Sequence, residues 1–318
     1  MKILTFFFVL VLGLAQDLVV VEKKGHALGF YSRDGVRQGG VALKQHPHEL
    51  LYSRDKKFAY VTENGMLWMT DPGKGGNSIA IVDLAARKLA GRIDLGDNYR
   101  PHGMDIHPRT GHLVVTVEGP AGLLLVDPVA RKVLKRYDTK GQAPHMVTLD
   151  PAGEVAWVSN SGSGTLAGVN LSTGEVKLIE AGKNPQQSVM RKDGKFLYLT
   201  VSESNVIHEI EIARGRIMRS IPTGNFPARL AFYNNEKGLI YNTITGVAWT
   251  DLTVGKEVAR AELPGRPLSM LLAKDGRQAY LGIQDEDQIA IVDVVGKKVM
   301  SYLKTPAGSG PDPVLDLP

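Results

Sequence analysis

The chain has 318 residues, 43% hydrophobic and 22% charged, an ordinary globular composition with ample length for a sizeable core. Its 38 Lys and Arg against 33 Asp and Glu give a net charge of +5, but the basic residues are scattered among acids, which argues against a nucleic-acid partner. The absence of cysteine excludes disulfides, a lipid-anchor cysteine and covalent haem attachment, and 35 Gly with 17 Pro favour many turns over long helices.

In chain order, MKILTFFFVLVLGLAQ comes first: one lysine, an apolar run from Ile3 to Leu14, and small residues at Gly13 and Ala15. This predicts a secretory signal peptide over 1–15, cut before Gln16, and a single domain over 16–318. The run is shorter than the roughly 20 apolar residues of a membrane span, and no other segment is long enough. The expected location is periplasmic or secreted, with no membrane span. LVVVE, ALGFYS and VRQGGVAL, between Leu18 and Leu43, then read as three strands.

Six segments of self-similar sequence follow. They begin at Pro47, Pro101, Pro144, Pro185, Pro227 and Pro267, spaced 54, 43, 41, 42 and 40 residues apart. Each has an apolar stretch, a turn such as Lys192-Asp193-Gly194-Lys195 and a β-rich stretch. A third strand such as IAIVDL (Ile79–Leu84) and a fourth such as KVLKRYDT (Lys132–Thr139) complete it. Four short strands in about 40 residues predict a β-propeller blade. GPDPVLDLP at the C-terminus places Pro311 where a repeat proline belongs, and supplies the first strand that the Leu18–Leu43 segment lacks. The expected fold is therefore all-β, a seven-bladed propeller closed by pairing the N- and C-terminal strands in one blade, which removes open sheet edges.

YVTEN (Tyr60–Asn64) and WVSNS (Trp157–Ser161) carry a family likeness: the chain resembles the YVTN-repeat β-propellers over essentially its whole length past residue 15. Lactonases of the phosphogluconolactonase type and the cytochrome d1 haem domain have similar propellers. The resemblance implies the fold and leaves function to the site.

PHGMDIHPRTGH (Pro101–His112) holds three of the eight histidines, five residues apart. Counted from the repeat proline, His102 is at +1, His107 at +6 and His112 at +11. A strand rises about 3.3 Å per residue, which puts His102 and His107 at opposite ends of one strand, about 15 Å or more apart. No local metal run is expected, and His107 and His112 read as turn and strand-entrance residues. The +1 position also holds His48 and His145, with Gln186, Ala228 and Leu268 in the remaining repeats. First strands line the channel of a propeller. One face should therefore gather His48, His102 and His145 with Glu118, Glu49, Asn64 and Asn160, and with Gln186 and Gln187 alongside. Arg229 could reach the same pocket and hold an anion. The long first spacing puts an extra loop, Met66–Asn77, over that face. Trp68 there either walls a pocket or covers a blade edge.

Three neutral imidazoles, with Glu118 as fourth ligand or general base, suit a divalent transition metal such as zinc or nickel. A metal-dependent hydrolase or isomerase, most concretely lactonase-like, is one reading. A non-catalytic ligand-binding or protein-interaction propeller is the other, the histidines then only bonding neighbouring blades. The ligand is a small molecule or a protein not readable from sequence. No haem or nucleotide is expected, since no glycine-rich phosphate loop leads into a helix and no nucleophile-elbow motif occurs.

Overall fold

The computed structural model describes residues 17–318; the proposed signal peptide and its cut before Gln16 lie outside the described residues. Seven four-stranded antiparallel sheets ring a central channel. Blades are numbered here from their repeat prolines, blade 1 at Pro47 and blade 7 at Pro311. In blade 7 the C-terminal strand Pro311–Asp316 pairs with Leu18–Glu22, followed outward by Ala27–Tyr31 and Arg37–Ala42. One short 3-10 turn, Ser202–Ser204, is the only helical element among the described residues. No helix there is long and apolar enough to cross a membrane.

The sequence dictates this layering through strand position. The two middle strands of a blade are packed on both faces and read as near-continuous apolar runs. Ser78–Asp83 of blade 1 is buried over its first five residues. Outer strands are exposed on alternate residues, as in Lys256–Glu262. The core lies between blades. Val19, Val21, Leu28 and Phe30 of blade 7 pack on Leu50, Val61 and Val82 of blade 1. On the other side of blade 7, Val20, Tyr31 and Val314 meet Tyr280, Ile289 and Ile291 of blade 6. Each fully buried aliphatic of this kind contributes about 1.5–3 kcal/mol. Arg33 and the Tyr280 hydroxyl both bond Asp316, at 3.0 and 2.7 Å, and tie the C-terminal strand into the ring.

One irregularity of the first strands positions the site. In blades 1 to 4 the pairing shifts between the proline and +3, two residues opposing one, as between Pro47↔Glu63 and Leu50↔Val61. Blade 7 has the same shift. A bulge of this kind turns two neighbouring side chains toward one side. Residues +1 and +2, such as His48 and Glu49, thus both reach the axis. The amide freed at +2 finds a side-chain acceptor: Glu49 N donates to Thr62 Oγ1 and Gly103 N to Thr116 Oγ1, both at 2.8 Å. At Gly103 a Cβ would sit 2.6 Å from the His145 carbonyl oxygen, so glycine is what lets blade 3 approach. The residue before the proline is left-handed in six blades, with φ from 47° to 60° at His46, Arg100, Ala143, Asn184, Phe226 and Gly310. Such a backbone is uncommon for non-glycine residues, and it recurs here as part of the repeat.

Candidate functional site at the channel mouth

His48, His102 and His145 stand side by side. Ring centroids are 4.3 Å apart between His48 and His102, and 4.1 Å between His102 and His145. All three rings are buried. Burial pushes each well below the ordinary histidine range, helped by Lys23 at His48, by His48 at His102 and by His102 at His145. Neutral imidazole is the form that ligates a metal.

The hydrogen bonds orient two of the rings. His48 Nδ1 lies 2.5 Å from Asp312 Oδ2, and His102 Nδ1 lies 2.9 Å from Glu118 Oε1. An ionised carboxylate only accepts, which favours the proton on Nδ1 in both imidazoles, although at His48 the Lys23 Nζ, 3.1 Å from the same nitrogen, competes for it. In that tautomer both Nε2 atoms are acceptors, and they face each other at 2.7 Å. Glu49 adds a carboxylate oxygen 3.8 Å from His48 Nε2. His48, Glu49 and His102 form a group whose ligand atoms all lie within 4.8 Å of one another. Carboxylates that fix imidazole tautomers from behind are the usual support of a histidine metal site. The donor set therefore fits a divalent transition metal.

Beneath the histidines the channel is closed by charge. Arg229 at +2 of blade 5 reaches across the axis to pair with Glu49 at +2 of blade 1, and its Nη1 rests 2.8 Å from Met146 Sδ. Lys23 Nζ lies 3.1 Å from His48 Nδ1 and 3.6 Å from Asp312. Burial raises the carboxyls of Glu49, Asp312 and Glu118 and lowers the Lys23 ammonium. Two buried cations and two buried anions hold one another there. Removing one partner of such a pair leaves an uncompensated charge, at a cost of about 3–5 kcal/mol.

Above the histidines is a cavity of about 140 Å³, walled by Met66, Trp68, Phe226, Leu268 and Gln284 as well as by the imidazoles. The loop inserted in blade 1 thus forms part of its roof. Arg100 holds that loop by donating to the carbonyls of Met69, Asp71 and Gly73 at 3.0, 2.8 and 2.6 Å. The same guanidinium lies 3.5 Å from Glu118, the partner of His102. At Gly75, where φ is +76°, a Cβ would come within 2.5 Å of Arg100 Cγ, so the loop packs here only with glycine. Trp68, Met69, Gln186, Phe226 and Arg266 also border a wider groove of about 900 Å³ on the same face.

The remaining sequence-predicted residues divide. Asn64 and Gln186 line the cavity, Asn64 also bonding the Pro101 carbonyl at 3.1 Å and Gln186 the Asn184 side chain at 2.5 Å. Glu118 lines it as well, but faces His102 Nδ1 and Arg100, on the far side of the ring from Nε2. Asn160 is not brought to the cavity: it bonds Thr165 Oγ1 of its own blade and Thr139 O, just past the outer strand of blade 2, both at 3.1 Å. The reason is alternation. Asn160 is at +16, and it is +17 that faces the mouth, as Asn64 and Glu118 show. Gln187, at +2, accepts from Leu230 N at 3.2 Å and borders the opposite mouth of the channel. His107 accepts from the amides of Arg109 and Thr110 at 3.2 and 3.3 Å in a turn, and His112 lies 4.0 Å from Asp127. Neither lines the cavity.

Sequence reasoning did not reach Asp312, Lys23 or Gln284. The signal was present. With Pro311 as the seventh repeat proline, Asp312 is that blade's +1 residue. Glu22 pairs with Pro311 as Glu63 pairs with Pro47, which makes Lys23 a +17 residue, and Gln284 is the +17 residue of blade 6.

No family model and no curated protein matches this chain. Solved structures do. One is the periplasmic gluconolactonase PpgL of Pseudomonas aeruginosa, with TM-score 0.74 and 17% identity over 94% of this chain and 98% of that one. Another is a functionally unknown protein from Desulfotomaculum acetoxidans DSM 771, with TM-score 0.73 and 13% identity over the same shares. The dihydro-heme d1 dehydrogenase NirN, in complex with DHE, follows at TM-score 0.67 and 16% identity over 92% of this chain and 64% of that one. At such identities the likeness is one of fold, a seven-bladed β-propeller whose structural neighbours include lactonase and haem d1 propellers.

Proposed function

We propose that this is an exported propeller that holds a divalent transition metal, zinc or nickel, on His48, His102 and Glu49, and hydrolyses a small lactone-like substrate in the cavity above. The observation that carries the reading is the pair of Nε2 atoms. With both protons on Nδ1, two lone pairs face each other at 2.7 Å and repel unless a cation lies with them, whereas a proton on one Nε2 would make the contact an ordinary N–H···N bond that a metal must displace. Such a metal supplies Lewis acidity and lowers the pKa of water.

The chain's own residues do the rest. Asp312 and Glu118 hold the Nδ1 protons and aim the two rings. Arg229 holds Glu49 at the axis and closes the channel floor to solvent. His145, neutral and in the cavity wall, is the imidazole left to accept a proton from the attacking water. The loop from Met66 walls one side of the cavity with Met66 and Trp68. Export rests on the apolar N-terminal run, and it agrees with the periplasmic location of the gluconolactonase neighbour.

The test is hydrolysis of a panel of small lactones by protein stripped with EDTA and then reloaded with zinc or nickel. Metal-dependent turnover that disappears in His102→Ala supports the proposal. Metal bound without turnover of any lactone makes this a ligand-binding propeller instead.

A further inference from the structure

The wall of the cavity opposite the histidines has its own polar equipment. Gln284, at +17 of blade 6, is 2% exposed and lines the cavity, yet neither its Nε2 nor its Oε1 has a hydrogen-bond partner among the described residues. A buried amide left so is destabilising, and structures keep such groups for a reason. Arg266 is the residue before Pro267 and borders both the cavity and the adjoining groove. Its guanidinium lies 5.4 Å from the centroid of the Phe226 ring, and no carboxylate, carbonyl or hydroxyl among the described residues pairs with its side chain. Stacking on an aromatic face fixes the plane of the guanidinium fork without consuming its N–H donors. Phe226 is held for this by its left-handed backbone, φ +58°, and by its amide, which donates to Asn205 Oδ1 at 2.9 Å.

We infer that Arg266 and Gln284 form a recognition site for an oxyanion, so that the molecule bound in this cavity carries a carboxylate or phosphate group. The guanidinium fork matches two oxygens of such a group, and the Gln284 amide adds one more N–H. The electrostatics agree: of the cations in the cavity wall, Lys23 and Arg229 are paired with Asp312 and Glu49, whereas Arg266 has no carboxylate partner among the described residues. Apolar Leu268 and Ala228 also line the cavity and offer nothing polar to the body of the ligand. The inference deepens the function proposed above by naming a substrate class, those bearing an anionic group. It rests on that reading only for the cavity's being the functional one.

Fluorescence provides the test. Of the three tryptophans, Trp157 and Trp249 are 3% and 0% exposed, whereas Trp68 is 42% exposed and borders the same cavity. EDTA-stripped full-length protein is titrated separately with acetate and with inorganic phosphate, so that no metal contributes. A saturable change in Trp68 emission is expected, and the tighter of the two probes identifies the oxyanion. Arg266→Gln should weaken binding at least tenfold. Gln284→Glu, which keeps the shape and adds a like charge, should do the same, while His107→Ala, outside the cavity, should leave it within twofold. No saturable response in the wild type overturns the inference. So does unchanged affinity in both the Arg266 and Gln284 variants, each checked for a native melting transition. Because metal is absent throughout, failure of the metal reading would leave this result standing, and the reverse also holds.

Discussion

Blades 1 to 3 and blades 4 to 6 offer the same +1 position to the same channel and fill it in opposite ways. One side presents His48, His102 and His145, the other Gln186, Ala228 and Leu268. The backbone differs too. First strands run for six to eight residues in blades 1 to 3, but shrink to Leu230–Tyr233 in blade 5 and Leu271–Leu272 in blade 6. Threonines fasten the bulges of blades 1, 2 and 4 alike and stitch blades 2 and 4 to the next, Thr116 Oγ1 donating to the His145 carbonyl at 2.6 Å and Thr200 Oγ1 to that of Ala228 at 2.7 Å. The backbone contrast therefore lies in blades 5 and 6, whose +1 residues are apolar and whose polar groups on the cavity are Arg266 and Gln284. The repeat decides where a side chain points; the residue placed there decides what it does.

The largest expected effect comes from the histidine side itself. His102→Ala should abolish saturable zinc or nickel binding by calorimetry, while His107→Ala and His112→Ala, ten residues or fewer away, leave it unchanged. Equal losses from all three would break the division of the channel into two walls.

Next come the carboxylates behind the rings. Asp312→Asn and Glu118→Gln keep the shape but lose the charge that fixes each tautomer, and metal affinity should fall about 10- to 100-fold. Unchanged affinity in both would mean that the rings are aimed by packing alone.

Arg100 ties the roof to the histidine side. Arg100→Met removes three hydrogen bonds to the loop, and trypsin should then cut after Lys74 several-fold faster, read by the mass of the fragments, with the melting transition retained. A loop that stays equally protected would assign its closure to apolar packing of Met66 and Trp68.

The smallest effect is in pH. Free histidine titrates near 6.5, and binding to an ordinary surface site weakens there. Here the folded-state values are depressed by burial, so the neutral, ligating form persists to lower pH. Half-release of metal should come clearly below pH 6.5, although the histidine column alone points to loss near that value. Release at or above 6.5 would mean that the rings are more hydrated than their burial implies.

The propeller was legible because a repeat restates its own cues: six prolines in step, alternating strands, and Pro311 completing the series. The histidine column was legible for the same reason. What escaped was finer than the register. The bulge that brings Glu49 to the axis beside His48 has no mark in one repeat alone. Asn160 and Asn64 lie one position apart in the repeat, and only strand alternation, once the pairing is known, sends one away from the mouth and the other to it. Asp312 and Lys23 were hidden by the split of blade 7, which separates two neighbours of one sheet by 289 positions in the sequence.

The central claim is that His48 and His102 converge on one metal ion. Titration of nickel into EDTA-stripped protein carrying no histidine tag, followed by calorimetry, tests it most directly. The account predicts one site per chain in the wild type and none in either His48→Ala or His102→Ala. No binding by the wild type, or undiminished binding by both variants, would contradict it.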